Sequence, residues 1–260
     1  MEHQLLPSTS KDLQSCRRHI RISVAPLLAL GLLPVPLCMA YNLVMALATD
    51  FQTTTSTSCR AFNIFPSATA AARSQSKAWM LACWMQFPFC IANAWLHSRF
   101  YRRTLPRPVR SFGFLVAFVM AVNSCNMLVW GTYAESYGDS MLTIANAVCL
   151  FFLNAIVMAG TYVCSNYYLL LEKTWELHEQ EFVLRLKSGL VLLYFLAVAI
   201  MWIFYFIHQK FCMPLAYSVF GLGEFISSEA FCFYLCLAYF DFYHVHICYD
   251  RRLGFHLSVI

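Results

Sequence analysis

What most constrains this chain is its recurring apolar runs of about 20 residues, the length that carries a helix across ~30 Å of hydrocarbon at about 1.5 Å per residue. Six are legible, at roughly 22–47, 78–97, 112–131, 140–171, 188–208 and 214–243. Composition agrees: of 260 residues, 60% are hydrophobic and 12% charged, against about 25% charged in a soluble domain. That much apolar surface cannot be folded away from water, so most of it faces lipid. The expected fold is all-α: a polytopic membrane protein, a six-helix transmembrane bundle with both termini cytosolic. The fourth and sixth runs are long enough to tilt or to project beyond the bilayer. Near Ala46-Leu47-Ala48 the first run resembles a signal peptide. Its apolar stretch and its polar head are both longer than such peptides carry, so it reads as a retained span.

Charge sets the orientation. With six spans, one side collects Lys11, Arg17, Arg18, Arg21, Arg99, Arg102, Arg103, Arg107, Arg110, Lys173, Arg185, Lys187, Arg251 and Arg252. The other side has Arg60, Arg73, Lys77 and Lys210. Basic residues favour the cytosolic face, which places both termini there. The expected organisation is a cytosolic tail at 1–21, a membrane domain at 22–248 with a lumenal loop at 48–76, and a cytosolic tail at 249–260. The basic residues are topology determinants first; split among short loops, they do not make a nucleic-acid site. The segment 172–187 reads either as an amphipathic interfacial helix or as a helical extension of the flanking spans.

Nine of the twelve cysteines lie in or near apolar runs, where thiols behave as small hydrophobes. Cys16 belongs to the N-terminal tail. Cys59 and Cys212 are then the two in lumenal loops, where an oxidising compartment permits a bond. A Cys59–Cys212 disulfide is therefore expected, tying the long first loop to the short loop before span six. No C-x-x-C or Cys/His ligand spacing is present, so neither a structural zinc nor another cofactor is expected.

Glu224 lies ten residues, about 15 Å, past Pro214 along a helix. A carboxylate at that depth must face the bundle interior, be protonated or hold a partner. Glu229 is about 140° further around the same helix. Asp241 falls at the cytosolic boundary, where a salt bridge or a helix-end role is the simpler reading. His208 ends span five, at the lumenal mouth above Glu224. Asn146, Asn154 and Thr161 share one face of span four, as Gln86 and Asn93 do in span two and Asn123 and Asn126 in span three. Interhelical hydrogen bonding is the simplest use for these groups. No G-x-S-x-G elbow or H-E-x-x-H helix is present. A catalytic pair formed in space, His208 with Ser67 or with Glu224, is left open.

Three stretches carry a resemblance: "SCRAFNIFPSAT" in the first loop, "HQKFCMPLAYSVFGLGEF" at the start of span six, and "AYFDF" beyond it. Together they resemble the Frag/DRAM/Sfk superfamily, and within it the family of post-GPI attachment to proteins factor 2. The matching residues are Cys59, Asn63, Pro66 and Ser67, then His208, Cys212 and Tyr217, then Glu224 with Asp241 seventeen residues later. The resemblance implies a multi-pass protein of the Golgi (or endoplasmic reticulum) membrane. Its implied role is the lipid remodelling of GPI anchors at the fatty-acid reacylation stage, with GPI-anchored proteins and membrane lipid as partners. Glu224 and His208 become the candidate catalytic residues, and Asn63, Ser67, Tyr217 and Asp241 the candidate substrate contacts. Whether such a protein is itself a lipid acyltransferase or a subunit of one is not shown by the motifs. The alternative is a non-catalytic superfamily membrane adaptor in autophagy or phosphoinositide regulation.

Overall fold

The computed structural model describes residues 21–133, 141–171, 177–250 and 254–259. Cys16, the expected N-terminal tail apart from Arg21, and the start of the fourth apolar run lie outside the described residues.

The first apolar run forms two helices, α1 (Val24–Gly31) and α2 (Pro34–Ala48). The break falls at Leu32 and Leu33, just before Pro34, whose ring cannot continue a helix. A helix start inside a membrane leaves backbone donors that lipid cannot satisfy. Here each is accounted for: Pro34 and Pro36 carry no N–H, the Leu37 N–H donates to the Leu33 carbonyl, and the Val35 N–H donates to Gln86 Oε1 at 3.0 Å. Two short helices follow, α3 (Phe51–Thr55) and α4 (Ala68–Ser74). The long helices are α5 (Ser76–Thr104), α6 (Arg107–Tyr133), α7 (Met141–Leu171), α8 (Leu177–Phe211) and α9 (Ala216–Cys236). A final turn, α10 (Ala238–Asp241), continues the course of α9.

Five stretches are both long and apolar enough to cross a membrane: Val24–Ala48, Arg107–Tyr133, Ala145–Tyr168, Glu181–Phe211 and Ala216–Asp241. α5 has the length but not the apolarity, because it carries Gln86, Asn93, His97 and a basic last turn. Gln86, Asn93 and His97 are buried against other helices and not turned to lipid. α8 begins at Leu177, so the described part of the 172–187 segment is a helical extension and not a separate interfacial helix.

Each long element packs on its chain neighbour, from α2 with α5 through α6, α7 and α8 to α9, and α9 returns to α2. The bundle is thus closed in sequence order. Its main core joins Leu28, Leu32, Met120, Met158, Tyr194, Met201, Phe231 and Tyr234. Polar residues of the spans bond across helices, as expected: Asn123 Nδ2 donates to Asn154 Oδ1 at 2.7 Å, and Thr161 pairs with the Tyr234 hydroxyl. Among the described residues, none of the nine cysteines assigned to apolar surroundings is disulfide-bonded to another of them.

The all-α expectation needs a correction. A three-stranded antiparallel sheet joins β1 (Arg21–Ser23), β2 (Val245–Asp250) and β3 (Gly254–Val259), in that order. Ile22 lies opposite Ile247, and Ile247 opposite Leu257. The cause is a period of two that runs across the expected boundary between membrane domain and C-terminal tail: Val245 and Ile247 on one strand and Leu257 on the next pack against the main core.

Candidate functional site

The loop after α2 does not arch over the bundle. It runs down the start of α9, and α9 meets it at every third residue. Cys212 bonds to Cys59, with Cα atoms 5.4 Å apart, as the cysteine assignment required. The Leu215 N–H donates to the Phe62 carbonyl at 2.8 Å. Ser218 Oγ accepts from the Ile64 and Phe65 N–H groups at 2.9 and 3.2 Å. Gly221 faces the Pro66 carbonyl and the Ser67 Cα so closely that any Cβ there would overlap them. Glu224 ends the series. From Ala216 to Glu224 the helix descends about 12 Å. Arg60, Cys212 and Leu215 hold left-handed backbone (φ 51°, 47° and 63°), a conformation that non-glycine residues keep only where surrounding bonds fix it.

Glu224 is buried, and its partner is the loop itself. Oε2 accepts the Ala68 N–H at 2.8 Å and Oε1 accepts the Thr69 hydroxyl at 2.7 Å. Ala68 and Thr69 open α4. The carboxylate therefore closes the N-terminal end of a short helix, where backbone donors point outward and negative charge is favoured. Ser67 is the residue before α4. Its Oγ accepts the Ala70 N–H and the Tyr217 hydroxyl, both at 3.0 Å. Tyr217 in turn lies beside the His208 ring, with centroids 5.4 Å apart.

Four of the expected site residues thus come together: Glu224, Ser67, Tyr217 and His208. Asn63 belongs to the same loop, where its Nδ2 donates to the Thr55 and Ala61 carbonyls. Asp241 does not join them. It sits at the other end of α9–α10, where Lys187 Nζ donates to both its oxygens at 2.6 and 2.8 Å and His97 Nε2 lies 3.6 Å away. Lys187 and His97 are buried, and Lys187 also reaches Ser165. This is the boundary salt bridge that the position of Asp241 suggested. Sequence reasoning missed Thr69, Ser218 and Gly221. The spacing of Cys212, Leu215, Ser218, Gly221 and Glu224 by three was the available signal, and it needed the loop's course to be read.

Buried polar atoms in folded proteins are nearly always hydrogen-bonded. Around the disulfide three are not: His208 Nδ1, Asn63 Oδ1 and Thr57 Oγ1. They offer an acceptor or donor ring nitrogen, an amide oxygen and a hydroxyl at the mouth of the bundle, above a carboxylate whose own oxygens are already occupied. Among the described residues no group of three His, Cys, Asp or Glu side chains is arranged to hold a metal ion.

Residues 24–245 match the model of the Frag1/DRAM/Sfk1/Cwh43P N-terminal domain. The chain is 29% identical over 237 residues to "Post-GPI attachment to proteins factor 2" of Drosophila melanogaster, covering 89% of this chain and 91% of that one. It is 28% identical over 241 residues to the protein of the same name from Drosophila pseudoobscura pseudoobscura, with the same coverage. No solved structure matches.

Proposed function

The chain belongs to the Frag1/DRAM/Sfk1/Cwh43P N-terminal domain family, and from that premise we propose that it processes GPI-anchored proteins, acting on the anchor lipid at the fatty-acid reacylation stage in the Golgi membrane. The names of its two fly relatives, matched over nearly their whole length, support the link to GPI-anchored proteins. The observation that carries the site reading is the set of unpaired polar atoms at His208, Asn63 and Thr57, held at the bundle mouth by the docked loop.

In this reading α5 is the sixth crossing. β1 and β2 are paired, so residues 21–23 and 245–250 lie at one end, and an even number of crossings joins them. That end is cytosolic by its basic residues, and the disulfide end is lumenal. The anchor's glycan and phosphate lie in the lumen with their acyl chains in the lumenal leaflet. A headgroup at the lumenal mouth meets the hydroxyl, amide and imidazole groups of Tyr217, Ser67, Asn63 and His208.

Acyl transfer onto a lyso-lipid hydroxyl needs a group that accepts the hydroxyl proton. His208 has a free ring nitrogen for it. Glu224 has both oxygens engaged and serves as a positioning residue, fixing the loop that carries Ser67. Asp241, tied to Lys187, holds the opposite end of the bundle and contributes no contact at this mouth.

The test is lipid analysis of GPI anchors from cells lacking the gene and from the same cells re-expressing wild-type or His208→Ala protein. Null cells should accumulate lyso or unremodelled anchors, wild type should restore the saturated diacyl form, and His208→Ala should fail while retaining its Golgi location and disulfide. Normal anchor lipid in null cells would sink the assignment.

A further inference from the structure

α9 is the most enclosed of the apolar helices, with only a narrow strip of it facing outward. That strip is Leu222, Ile226 and Phe233, exposed at 45%, 36% and 52%, with half-buried Glu229 among them. The intervals are four, three and four residues. Positions so spaced form one straight seam on a helix and are the pattern by which one helix packs against another. Glu229 lies thirteen residues, about 20 Å, below the start of α9, and about 18 Å short of Asp241, so it is inside the hydrocarbon. It points about 140° away from Glu224 and has no share in the loop-docked site. No described residue gives it a hydrogen bond or an ion pair.

A carboxyl group on a lipid-facing seam is costly, and intramembrane acids ordinarily face an interior or a partner. Here the interior is taken up by other residues of the same helix. We propose that the Leu222–Phe233 seam is a docking surface for a transmembrane helix of a different membrane protein, one carrying a lysine or arginine near its midpoint that pairs with Glu229. Charge complementarity selects this occupant. A second copy of this chain offers no such cation: among the described residues of its spans, Lys187 is buried against Asp241, and the remaining basic residues lie within about two turns of the span ends, short of the depth of Glu229. A phospholipid carries its charge in the headgroup and not at this depth. Ser228, the small half-buried residue next to the acid, does not shield the carboxyl from the outward side.

The experiment places a photo-reactive amino acid at Ile226, and separately at Phe233, in the full-length chain expressed in its own cell type. The expected result is an adduct with one other membrane protein, mapping within a turn of a basic residue in that protein's apolar segment. Glu229→Leu, a side chain at home in lipid, should lower the adduct yield about tenfold, and Glu229→Gln should lower it less. Glu229→Lys should abolish the adduct, and exchanging the partner's basic residue for glutamate should restore it. Retention of the Cys59–Cys212 bond on a non-reducing gel checks that each variant is folded. Adducts with lipid alone, with a second copy of this chain, or with a protein whose yield ignores the Glu229 substitutions would overturn the proposal.

Discussion

Replacing Glu224 separates a positioning role from a chemical one, because its two obvious substitutes differ in what they leave unpaired. In Glu224→Leu the Ala68 N–H loses its acceptor inside the bundle, and a buried amide without a partner costs about 1–3 kcal/mol. Loss of negative charge at the start of α4 adds about 0.5–1 kcal/mol. The Thr69 hydroxyl loses its acceptor too, but it is less buried and can turn. The sum is about 2–4 kcal/mol. In Glu224→Gln the amide oxygen still accepts from Ala68, and its NH2 donates to the Thr69 oxygen once that hydroxyl rotates, so the cost is about 1 kcal/mol. For a chain of this size about 1 kcal/mol moves a melting midpoint by roughly 2–4 °C. The leucine variant should therefore lose about 4–16 °C and the glutamine variant about 2–4 °C. The assay is retention of the monodisperse peak in detergent after a heating series, with anchor-lipid rescue in null cells run in parallel. Rescue by glutamine should approach wild type and rescue by leucine should be poor. A leucine variant that melts with wild type would refute the account of how the loop is held. A glutamine variant of wild-type stability that rescues nothing would move Glu224 from positioning to chemistry.

Two further outcomes follow from the same packing. Lys187→Met should cost about 3–5 kcal/mol because it strands the Asp241 carboxylate, whereas Lys187→Met combined with Asp241→Leu should recover most of that loss, as heating series on the single and double variants will show. Gly221→Val should prevent the loop from seating against α9, and its signature is faster reduction of the Cys59–Cys212 bond by a mild thiol at 25 °C, where Gly189→Val, with open space around it, should not differ from wild type.

How much of this was legible beforehand depends on the range of the interaction. Long apolar runs declare helices because their lengths answer to lipid alone, and five of the six met both length and apolarity. The sixth, α5, is ambiguous because Gln86, Asn93 and His97 serve neighbours that sequence does not show; Gln86 exists to accept the Val35 N–H freed by the break in the first run. The disulfide was legible by elimination, since only Cys59 and Cys212 remained outside the apolar runs and the N-terminal tail. Glu224 was legible as a residue in need of a partner. That the partner is the backbone of Ala68 was not, because a backbone donor carries no sequence signature. The sheet was missed for a different reason: its alternation is plain in Val245, Ile247 and Leu257, but β1 supplies only three residues, too few to show a period.

The sheet also has a bearing on biogenesis. The strand that receives Arg21–Ser23 is made more than 220 residues later, so the start of the first membrane helix keeps its edge bare until Val245–Asp250 has been synthesised. The antiparallel clasp therefore closes only in a chain translated past Asp250, and a shorter nascent chain lacks it.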